Sequence, residues 1–212
     1  KEFIFQLEKG ENTGYEHYQV FMELNKKMRI KELKKNLYEG HYEKCNNIKS
    51  SREYCKKCET RIGNYICYPE EIKVISDDIL KDWQKEIIEI IKTKPDDRSI
   101  YWYYECLGGV GKTSLAKKLC VEYGALYVGG KKADIMYAVS EYKGKIIILD
   151  IPRTQEGRIS YDAIESVKNG IFFNSKYESK MIIRNNPHII VFSNFEPEYE
   201  KLSGDRWKVR EI

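Results

Sequence analysis

The chain has 212 residues, 42% of them hydrophobic, which is enough for one large domain or two small ones with packed cores. Its formal net charge of +4 permits a nucleic-acid partner but does not require one. The sequence has no apolar run of about 18 residues, so no membrane span is expected. No signal peptide is recognised, and a start at Lys1 within a strand-like run predicts a fragment without its natural N-terminus.

Two strand patterns near the start of the chain carry a candidate metal site. Residues 1–8 form the first predicted strand, which ends at Glu8, and residues 15–24 form the second. Alternate residues of a strand share one face, so His17 and Gln19 point the same way, and strand pairing could bring Glu8 beside them. These nitrogen and oxygen donors suit Mg²⁺ or Mn²⁺. Three exposed polar residues on a hairpin are the alternative interpretation.

A tyrosine and a lysine follow in a segment with a helical pattern. A basic amphipathic helix is predicted over residues 26–37, and the next helical segment contains Tyr54 and Lys57. Three residues apart on a helix, these two side chains share a face. A tyrosine beside a lysine and near a divalent metal is suited to attack a phosphodiester. A bare Tyr-x-x-Lys pair is also common on protein surfaces, and that alternative stays open.

The six cysteines favour reduced thiols in an intracellular protein. One spacing among them, a Cys-x-x-Cys pair with flanking cysteines, offers a competing zinc site with four thiolate ligands. The residues of that candidate site are Cys45, Cys55, Cys58 and Cys67. Zinc at this point would constrain the neighbouring Tyr54 in a different way.

A glycine-rich loop stands between a strand pattern at residues 100–104 and a helical pattern that follows it. Strand, glycine loop, Lys-Thr and helix in this order are typical of a phosphate-binding loop, whose backbone N–H groups surround an anion. In such a loop Lys112 would reach the β- and γ-phosphates of ATP, and Thr113 would hold Mg²⁺. The first position of the pattern is usually Gly but is Cys106 here. The predicted nucleotide-binding residues are Gly108, Gly109, Val110, Gly111, Lys112, Thr113 and Ser114.

Two later apolar runs are typical of strands buried on both faces of a parallel sheet. Residues 145–149 end at Asp150, whose carboxylate could meet the Mg²⁺ held at the loop. Residues 189–192 are followed by Ser193 and Asn194, and the Asn194 amide could hydrogen-bond the attacking water or the γ-phosphate. No second acid follows Asp150, so the sequence does not identify a base that activates water.

The order and spacing of these residues resemble a known family. The front half resembles the HUH endonuclease domain of rolling-circle replication initiators through Glu8, His17-Tyr18-Gln19 and Tyr54-x-x-Lys57. The phosphate loop and the two polar strand ends resemble superfamily 3 helicases. Over essentially all of its length, the chain is therefore similar to the Rep proteins of circular single-stranded DNA viruses, of the circovirus and nanovirus kind.

The resemblance implies a two-domain fold. It predicts an α+β HUH nuclease domain at residues 1–70, with an antiparallel sheet and helices, that lacks its first strand because the family's first motif would precede Lys1. It predicts an α/β P-loop superfamily 3 helicase domain with a parallel sheet at residues 71–212. The implied function is a rolling-circle replication initiator that nicks and rejoins single-stranded origin DNA through a phosphotyrosine and unwinds DNA with ATP.

The resemblance also implies a role for each candidate residue. The metal ligands would be Glu8, His17 and Gln19, with Tyr54 as nucleophile and Lys57 as its helper. The nucleotide site would add Asp150 and Asn194 to the loop, and Arg206 would act on the nucleotide of a neighbouring subunit. DNA contacts would come from Lys176 and Lys180 in segment 174–180. The implied cofactors are Mg²⁺ or Mn²⁺ at the nuclease site and ATP with Mg²⁺ at the helicase site.

The implied partners are single-stranded origin DNA, ATP and further copies of the chain in a hexameric ring, with no membrane, in the host cell nucleus. A second function class is a P-loop ATPase of another kind with a non-catalytic DNA-binding or zinc-binding front domain. That alternative leaves the set of Glu8, His17, Gln19 and Tyr54 unexplained. A third, a host-integrated Rep copy that binds DNA without catalysis, is opposed by the intact motifs.

Overall fold

A computed structural model describes residues 2–11, 13–37 and 40–212 of the chain. Contacts divide the chain into two units, the first ending at Lys73 and the second beginning at Val74. Each unit is built around its own sheet. In the described residues, no helix has the length and apolar character needed to cross a membrane.

The first unit has a three-stranded antiparallel sheet with the strand order β2-β1-β3. Its strands are β1 (Glu2–Lys9), β2 (Glu16–Glu23) and β3 (Arg61–Tyr68). Two seven-residue helices stand between β2 and β3, namely α1 (Ile30–Asn36) and α2 (Ile48–Tyr54). Helix α2 begins after Asn47, whose side chain accepts a hydrogen bond from the Ser50 N–H at 3.0 Å, as an N-cap does.

One face of this small sheet is buried and the other is largely open. The alternation along β1 places Ile4, Gln6 and Glu8 inward, each at most 3% exposed. Ile4 packs with Phe21 and Cys55 in a compact apolar cluster. The polar residues Gln6 and Glu8 therefore continue the buried row that Ile4 begins. Buried polar side chains mark this end of the face as a candidate functional site rather than a part of the apolar core.

The second unit is built on a five-stranded parallel sheet with the order β10-β4-β9-β6-β5. Its strands are β4 (Ile100–Tyr104), β5 (Leu126–Val128), β6 (Ile146–Ile151), β9 (His188–Ser193) and β10 (Trp207–Glu211). An antiparallel hairpin lies outside this sheet and consists of β7 (Ile171–Asn174) and β8 (Lys180–Ile183). The antiparallel sheet followed by a parallel one confirms the predicted fold class.

Four helices cover the two faces of the parallel sheet, namely α3 (Asp82–Lys92), α4 (Lys112–Tyr123), α5 (Lys132–Glu141) and α6 (Tyr161–Asn169). Alternate residues of β9 join opposite cores. Ile190 packs with residues of α3 and α4, and Ile189 packs with residues of α5 and α6. All six residues of β9 are buried, as the continuous apolar run predicted.

The strand order brings three polar strand ends to one edge of the sheet. Strand β9 lies between β4 and β6, although it comes last of the three in the chain. The parallel register pairs Tyr104 of β4 with Ser193 of β9, and Ser193 with Ile151 of β6. Ligand sites of open parallel sheets form at the carboxyl ends of the strands, and here the phosphate loop begins at that edge.

Candidate active sites

The register of β1 and β2 assembles the predicted metal ligands. Glu8 pairs directly with His17, and Gln6 pairs with Gln19. The His17 Nε2 atom lies 4.0 Å from Glu8 Oε2, with the Glu8 side chain 3% exposed and the His17 side chain 44% exposed. The pairing therefore places Glu8, His17 and Gln19 on one face. Of these, the Glu8 carboxylate is buried and the His17 imidazole reaches solvent.

Lys57 connects the tyrosine to this cluster. Its Nζ atom lies 3.0 Å from the Tyr54 hydroxyl and 3.0 Å from Glu8 Oε2. The helix α2 ends at Tyr54, so Lys57 comes from the turn after the helix rather than from a helical face. The predicted pairing is correct in its partners but arises from a different backbone geometry. Tyr54 itself is 52% exposed, which leaves its hydroxyl accessible to a large substrate.

Two residues that sequence reasoning missed hold the Glu8 carboxylate in place. Gln6 Nε2 donates to Glu8 Oε1 at 2.8 Å, and the Thr60 hydroxyl donates to Oε2 at 3.1 Å. Burial alone would raise the pKa of Glu8, but the hydrogen bonds from Gln6, Lys57 and Thr60 hold it below its ordinary value. The pKa of Lys57 is raised, chiefly by its hydrogen bond to Tyr54. Both groups are therefore charged at neutral pH.

The donor set fits a hard divalent ion. It offers a carboxylate, an imidazole and a side-chain amide oxygen, the ligand types that suit Mg²⁺ or Mn²⁺. The buried Oε1 atom of Gln6 has no hydrogen-bond partner in the structure and adds a further oxygen beside Glu8. In the described residues, no group of three His, Cys, Asp or Glu side chains could by itself hold a metal ion.

The competing zinc site is not formed. The cysteines Cys45, Cys55, Cys58 and Cys67, all within the described ranges, do not gather into a metal-binding group. Cys55 is buried in the apolar cluster, whereas Cys45 and Cys58 are exposed. Burial raises the pKa of the Cys55 thiol, which disfavours the thiolate that zinc requires.

The phosphate loop has the backbone geometry of an anion cradle. Gly108, Gly109 and Gly111 adopt φ angles of +99°, +81° and +100°, which residues with a side chain rarely reach. A Cβ at Gly111 would also lie 3.1 Å from Gln84 Nε2, which donates to the Gly111 carbonyl at 3.2 Å. Helix α4 begins at Lys112, so its first N–H groups open on the loop. Val110 is partly buried, and Ser114 is exposed in the first helical turn.

A carboxylate that sequence reasoning missed occupies this cradle. Glu105 directly precedes the loop and is 4% exposed. Its Oε2 atom accepts the Gly108 N–H at 2.6 Å, and its Oε1 atom pairs with the Lys112 ammonium. Burial alone would raise the pKa of Glu105, but Lys112 and the Gly108 N–H hold it below its ordinary value. The loop thus binds a negative group through the same donors that a phosphate would use.

Asp150 lies where a magnesium-binding carboxylate is expected. Its Oδ2 atom is 3.4 Å from the Thr113 hydroxyl and accepts a hydrogen bond from the Tyr127 hydroxyl at 3.1 Å. Burial and the nearby Asp150 raise the pKa of Tyr127 to about 12, so this tyrosine stays a donor. Arg153 also reaches the site, since its guanidinium donates to the Cys106 carbonyl. Tyr127 and Arg153 belong to no sequence motif that would have identified them in advance.

Asn194 joins the other side of the loop. Its side-chain amide donates to the Glu105 carbonyl at 3.1 Å and to Glu105 Oε1 at 3.0 Å. The ends of β4, β9 and β6 therefore present Glu105, Asn194 and Asp150 in that spatial order.

Arg206, the predicted trans-acting arginine, is buried in the second unit. The residue is 3% exposed, and its guanidinium donates to Asn169 Oδ1 at 2.8 Å and lies 3.2 Å from Glu165 Oε1. These partners belong to α6 of the same unit. In this arrangement the guanidinium is held within its own unit, and its action on the nucleotide of a neighbouring subunit stays a prediction.

The predicted DNA-contacting lysines lie at the hairpin β7–β8 and are paired with acids of α5. The Lys176 ammonium pairs with Asp134, and the Lys180 ammonium lies 3.1 Å from Glu141 Oε1. Between the two lysines, Tyr177 is 83% exposed and its ring centroid lies 4.8 Å from that of Tyr137. The hairpin tip therefore offers an aromatic pair, with both lysine charges already partly neutralised.

Comparison with known proteins agrees with this arrangement. Residues 1–58 match a family described as "Putative viral replication protein". Para-Rep C7 of Faba bean necrotic yellows C7 alphasatellite is 32% identical, over 97% of this chain and 89% of its own length. Para-Rep C10 of Milk vetch dwarf C10 alphasatellite is 31% identical over 97% and 89%. Para-Rep C2 of Subterranean clover stunt C2 alphasatellite is 33% identical over 92% and 84%.

These similarities define the class as viral replication proteins. Because relatives above 30% identity are matched over most of their length, the chain belongs to the Rep family, alongside the Para-Reps of alphasatellites. The resemblance predicted from the sequence is confirmed at this level.

Proposed function

We propose that this chain nicks and rejoins single-stranded origin DNA through a covalent bond to Tyr54, and that it unwinds DNA with ATP. The observation that carries the proposal is the chain of contacts from the Tyr54 hydroxyl through the Lys57 ammonium to Glu8 Oε2, each 3.0 Å long. Burial of the Glu8 carboxylate beside His17 carries a desolvation cost that an ordinary surface tyrosine and lysine would not need. The arrangement is useful where a phenol must act as a nucleophile.

In the proposed cleavage, Tyr54 Oη forms a bond to the phosphorus of a phosphodiester as the bond from phosphorus to the 3′-oxygen breaks. The phenol proton ends on the released 3′-oxygen, and the DNA is left with a 5′-phosphotyrosine link and a free 3′-hydroxyl. Lys57 favours the phenolate and offsets charge on the attacked phosphate, because its ammonium contacts the hydroxyl directly. Attack of a 3′-hydroxyl on the phosphotyrosine rejoins the strand and releases Tyr54.

Glu8, His17 and Gln19 would hold Mg²⁺ or Mn²⁺ at this site, and such an ion supplies positive charge that polarises the attacked phosphate. The chain itself positions these donors through the pairing of β1 with β2. Gln6 and Thr60 keep the Glu8 carboxylate oriented through their two hydrogen bonds.

In the second unit, the proposed activity is ATP hydrolysis. Lys112 and the glycine loop would bind the phosphates, and Thr113 and Asp150 would hold Mg²⁺. The contact of Asp150 with Thr113 at 3.4 Å supports this assignment, because both ligands of one ion must lie side by side. By the family resemblance, the protein acts as a homo-oligomer on DNA in the host cell nucleus.

A covalent-adduct assay tests the proposed nicking. Single-stranded oligonucleotides that tile both strands of the complete circular DNA molecule carrying the gene of this chain, non-coding parts included, are labelled at the 3′ end and incubated with the protein and Mn²⁺. We expect one oligonucleotide to label the protein in a form stable to denaturing detergent, and a 5′-labelled copy to yield a shorter product that a polymerase can extend. The label should be lost completely in Tyr54→Phe.

The matched control is Tyr15→Phe, which removes a hydroxyl from another exposed tyrosine of the same unit and should keep the adduct. An adduct that persists in Tyr54→Phe would show that another residue is the nucleophile. Absence of any adduct with the wild-type chain across all oligonucleotides, with Mg²⁺ or Mn²⁺, would refute the nicking function.

A further inference from the structure

The nucleotide site lacks an assigned base. Hydrolysis of ATP needs a group that takes a proton from the attacking water, and acids of this kind often follow the magnesium-binding residue. Here Asp150 is followed by Ile151, Pro152 and Arg153. The Asp150 carboxylate is itself committed to Thr113 and Tyr127. The base must therefore come from another element.

The strand before the phosphate loop provides a carboxylate at the required place. Glu105 follows β4, and its backbone N–H contacts the Ser193 carbonyl at the end of β9 at 3.4 Å. Its carboxylate lies between the Gly108 N–H, the Lys112 ammonium and the Asn194 amide. Those are the groups that surround a γ-phosphate and its attacking water in the proposed site. The carboxylate is also buried, with its side chain 5% exposed, so it makes these contacts out of bulk water.

We propose that Glu105 is the general base of ATP hydrolysis, supplied from the strand that enters the phosphate loop rather than from the strand that ends at Asp150. This inference rests on the proposed ATPase activity. In the reaction, the oxygen of water forms a bond to the γ-phosphorus while the bond from that phosphorus to the bridging oxygen breaks, and ADP leaves with the electron pair. Glu105 takes one proton of the water and returns it to the phosphate that is released.

The contacts of Glu105 also require an exchange of partners when ATP binds. The Lys112 ammonium and the loop N–H groups are the donors of the phosphates, so the carboxylate must give them up. Asn194 then remains beside the Glu105 carboxylate. Its side-chain amide can hydrogen-bond both the carboxylate and the attacking water. A carboxylate without its lysine is a better proton acceptor than one paired with it, so phosphate binding itself prepares the base.

Two consequences separate this role from a structural one. Replacement of Glu105 by Gln keeps the size and the hydrogen bond to Asn194 but removes the proton acceptor. It also removes a negative group that competes with phosphate for Lys112. The variant should therefore bind ATP at least as tightly as the wild-type chain and fail to hydrolyse it. A residue that merely orders the loop would instead weaken binding when it is changed.

The experiment measures phosphate release and binding of a fluorescent ATP analogue by the full chain and by Glu105→Gln, Glu105→Asp and Glu89→Gln. We expect Glu105→Gln to lose at least about a hundredfold in kcat, within the range for a lost general base, with an unchanged or lower Kd for the analogue. Glu105→Asp should retain partial activity because the shorter side chain still carries a carboxylate. Glu89→Gln alters an exposed acid on the outside of α3 and should behave as wild type.

Hydrolysis by Glu105→Gln within about threefold of the wild-type rate would overturn the assignment and leave the ATPase function intact. Loss of binding together with hydrolysis in both Glu105 variants would also overturn it, because it would make the residue a structural one. If the wild-type chain releases no phosphate from ATP, the proposed ATPase and this inference fail together.

Discussion

The Lys57 ammonium lies 3.0 Å from the Tyr54 hydroxyl, and Glu8 holds the same ammonium from the other side. This arrangement keeps a fixed positive charge at the position where a phenolate would form. The ring of Tyr54 also lies under the ammonium, with 4.1 Å between Nζ and the ring centroid. Lys57 is therefore placed to act on Tyr54 throughout the reaction.

The first prediction follows from this pair. Lys57→Met keeps much of the side-chain length but removes the charge, so the rate of adduct formation should fall about tenfold to a thousandfold. Lys57→Arg should reduce the rate of adduct formation less, because the positive charge remains although the guanidinium is planar and forked where the ammonium is compact. A time course of detergent-stable adduct measures both. Lys49→Met, at an exposed position of α2, is the matched control and should react at the wild-type rate. Equal rates for Lys57→Met and wild type would contradict a role for the ammonium.

The second prediction separates the two activities. Lys112→Ala removes the cation that pairs with Glu105 and would contact phosphate, so ATP hydrolysis should be abolished. Adduct formation should continue at the wild-type rate, because Tyr54 and its partners belong to the other unit. Tyr54→Phe should show the reverse pattern. Phosphate release and adduct formation are measured on both variants. Hydrolysis of ATP by Lys112→Ala would contradict this scheme.

The sequence predicted those features that depend on local spacing. His17 and Gln19 could be placed on one face because the two-residue period of a strand is fixed by the backbone. The position of Glu8 beside them depended on the pairing of β1 with β2. Asp150 and Asn194 could be placed at strand ends because buried parallel strands are continuous apolar runs. The sequence did not indicate which strands would be neighbours.

Glu105 illustrates what was out of reach. Its proposed role depends on Asn194, which follows β9. That strand is adjacent to β4 in space, although Asn194 is 89 residues away from Glu105 in the chain. Arg206 was given its role by its place after the other motifs in the sequence, whereas its burial against α6 depends on tertiary packing, which that order does not show. The hairpin β7–β8 also escaped notice, because its strands have four residues each and expose Phe173 and Met181 on one face.

The third prediction concerns the stability of the second unit in acid. Lys168 is fully buried, and in the described part of the chain its ammonium contacts the Pro187 carbonyl at 2.9 Å and Asp96 Oδ1 at 3.4 Å. Burial alone would raise the pKa of Asp96, but the backbone N–H groups of Ser99 and Arg98 outweigh it and hold the pKa well below its usual range. A carboxyl with a depressed pKa in the folded state stabilises the fold above its ordinary pKa of about 3.9. That contribution is lost as the pH falls below this value.

Asp96→Asn should therefore lower the free energy of unfolding by about 2 kcal/mol at neutral pH, since it leaves the buried ammonium with one partner, and the partial exposure of Asp96 moderates the loss. The difference from wild type should shrink as the pH falls from about 4 toward the depressed pKa of folded Asp96, because the carboxyl of the unfolded chain takes up its proton first. Urea unfolding followed by tryptophan fluorescence measures it, because Trp83, Trp102 and Trp207 all belong to the second unit. Asp97→Asn, at the neighbouring exposed position, should change stability less. A difference that grows in acid would contradict the assignment.

The fourth prediction concerns DNA binding by the hairpin. Asp134 pairs with Lys176, and the pKa of Asp134 is lowered chiefly by that hydrogen bond, so the carboxylate is charged at neutral pH and offsets the lysine. A lysine that must contact phosphate has to leave this partner.

Asp134→Asn removes the competing charge and should strengthen binding to an oligo-dT strand by about threefold at low salt, with a smaller gain at high salt because the effect is electrostatic. Lys176→Ala should weaken binding, and the double variant should resemble Lys176→Ala, since the proposed effect of the acid on DNA binding passes through the lysine. Fluorescence anisotropy at two salt concentrations measures these affinities. Asp162→Asn is the matched control, because that acid pairs with Lys132 rather than with a lysine of the hairpin. If Asp134→Asn weakened binding as much as Lys176→Ala does, the ion pair would be needed to hold the hairpin in place rather than acting as a competitor of DNA.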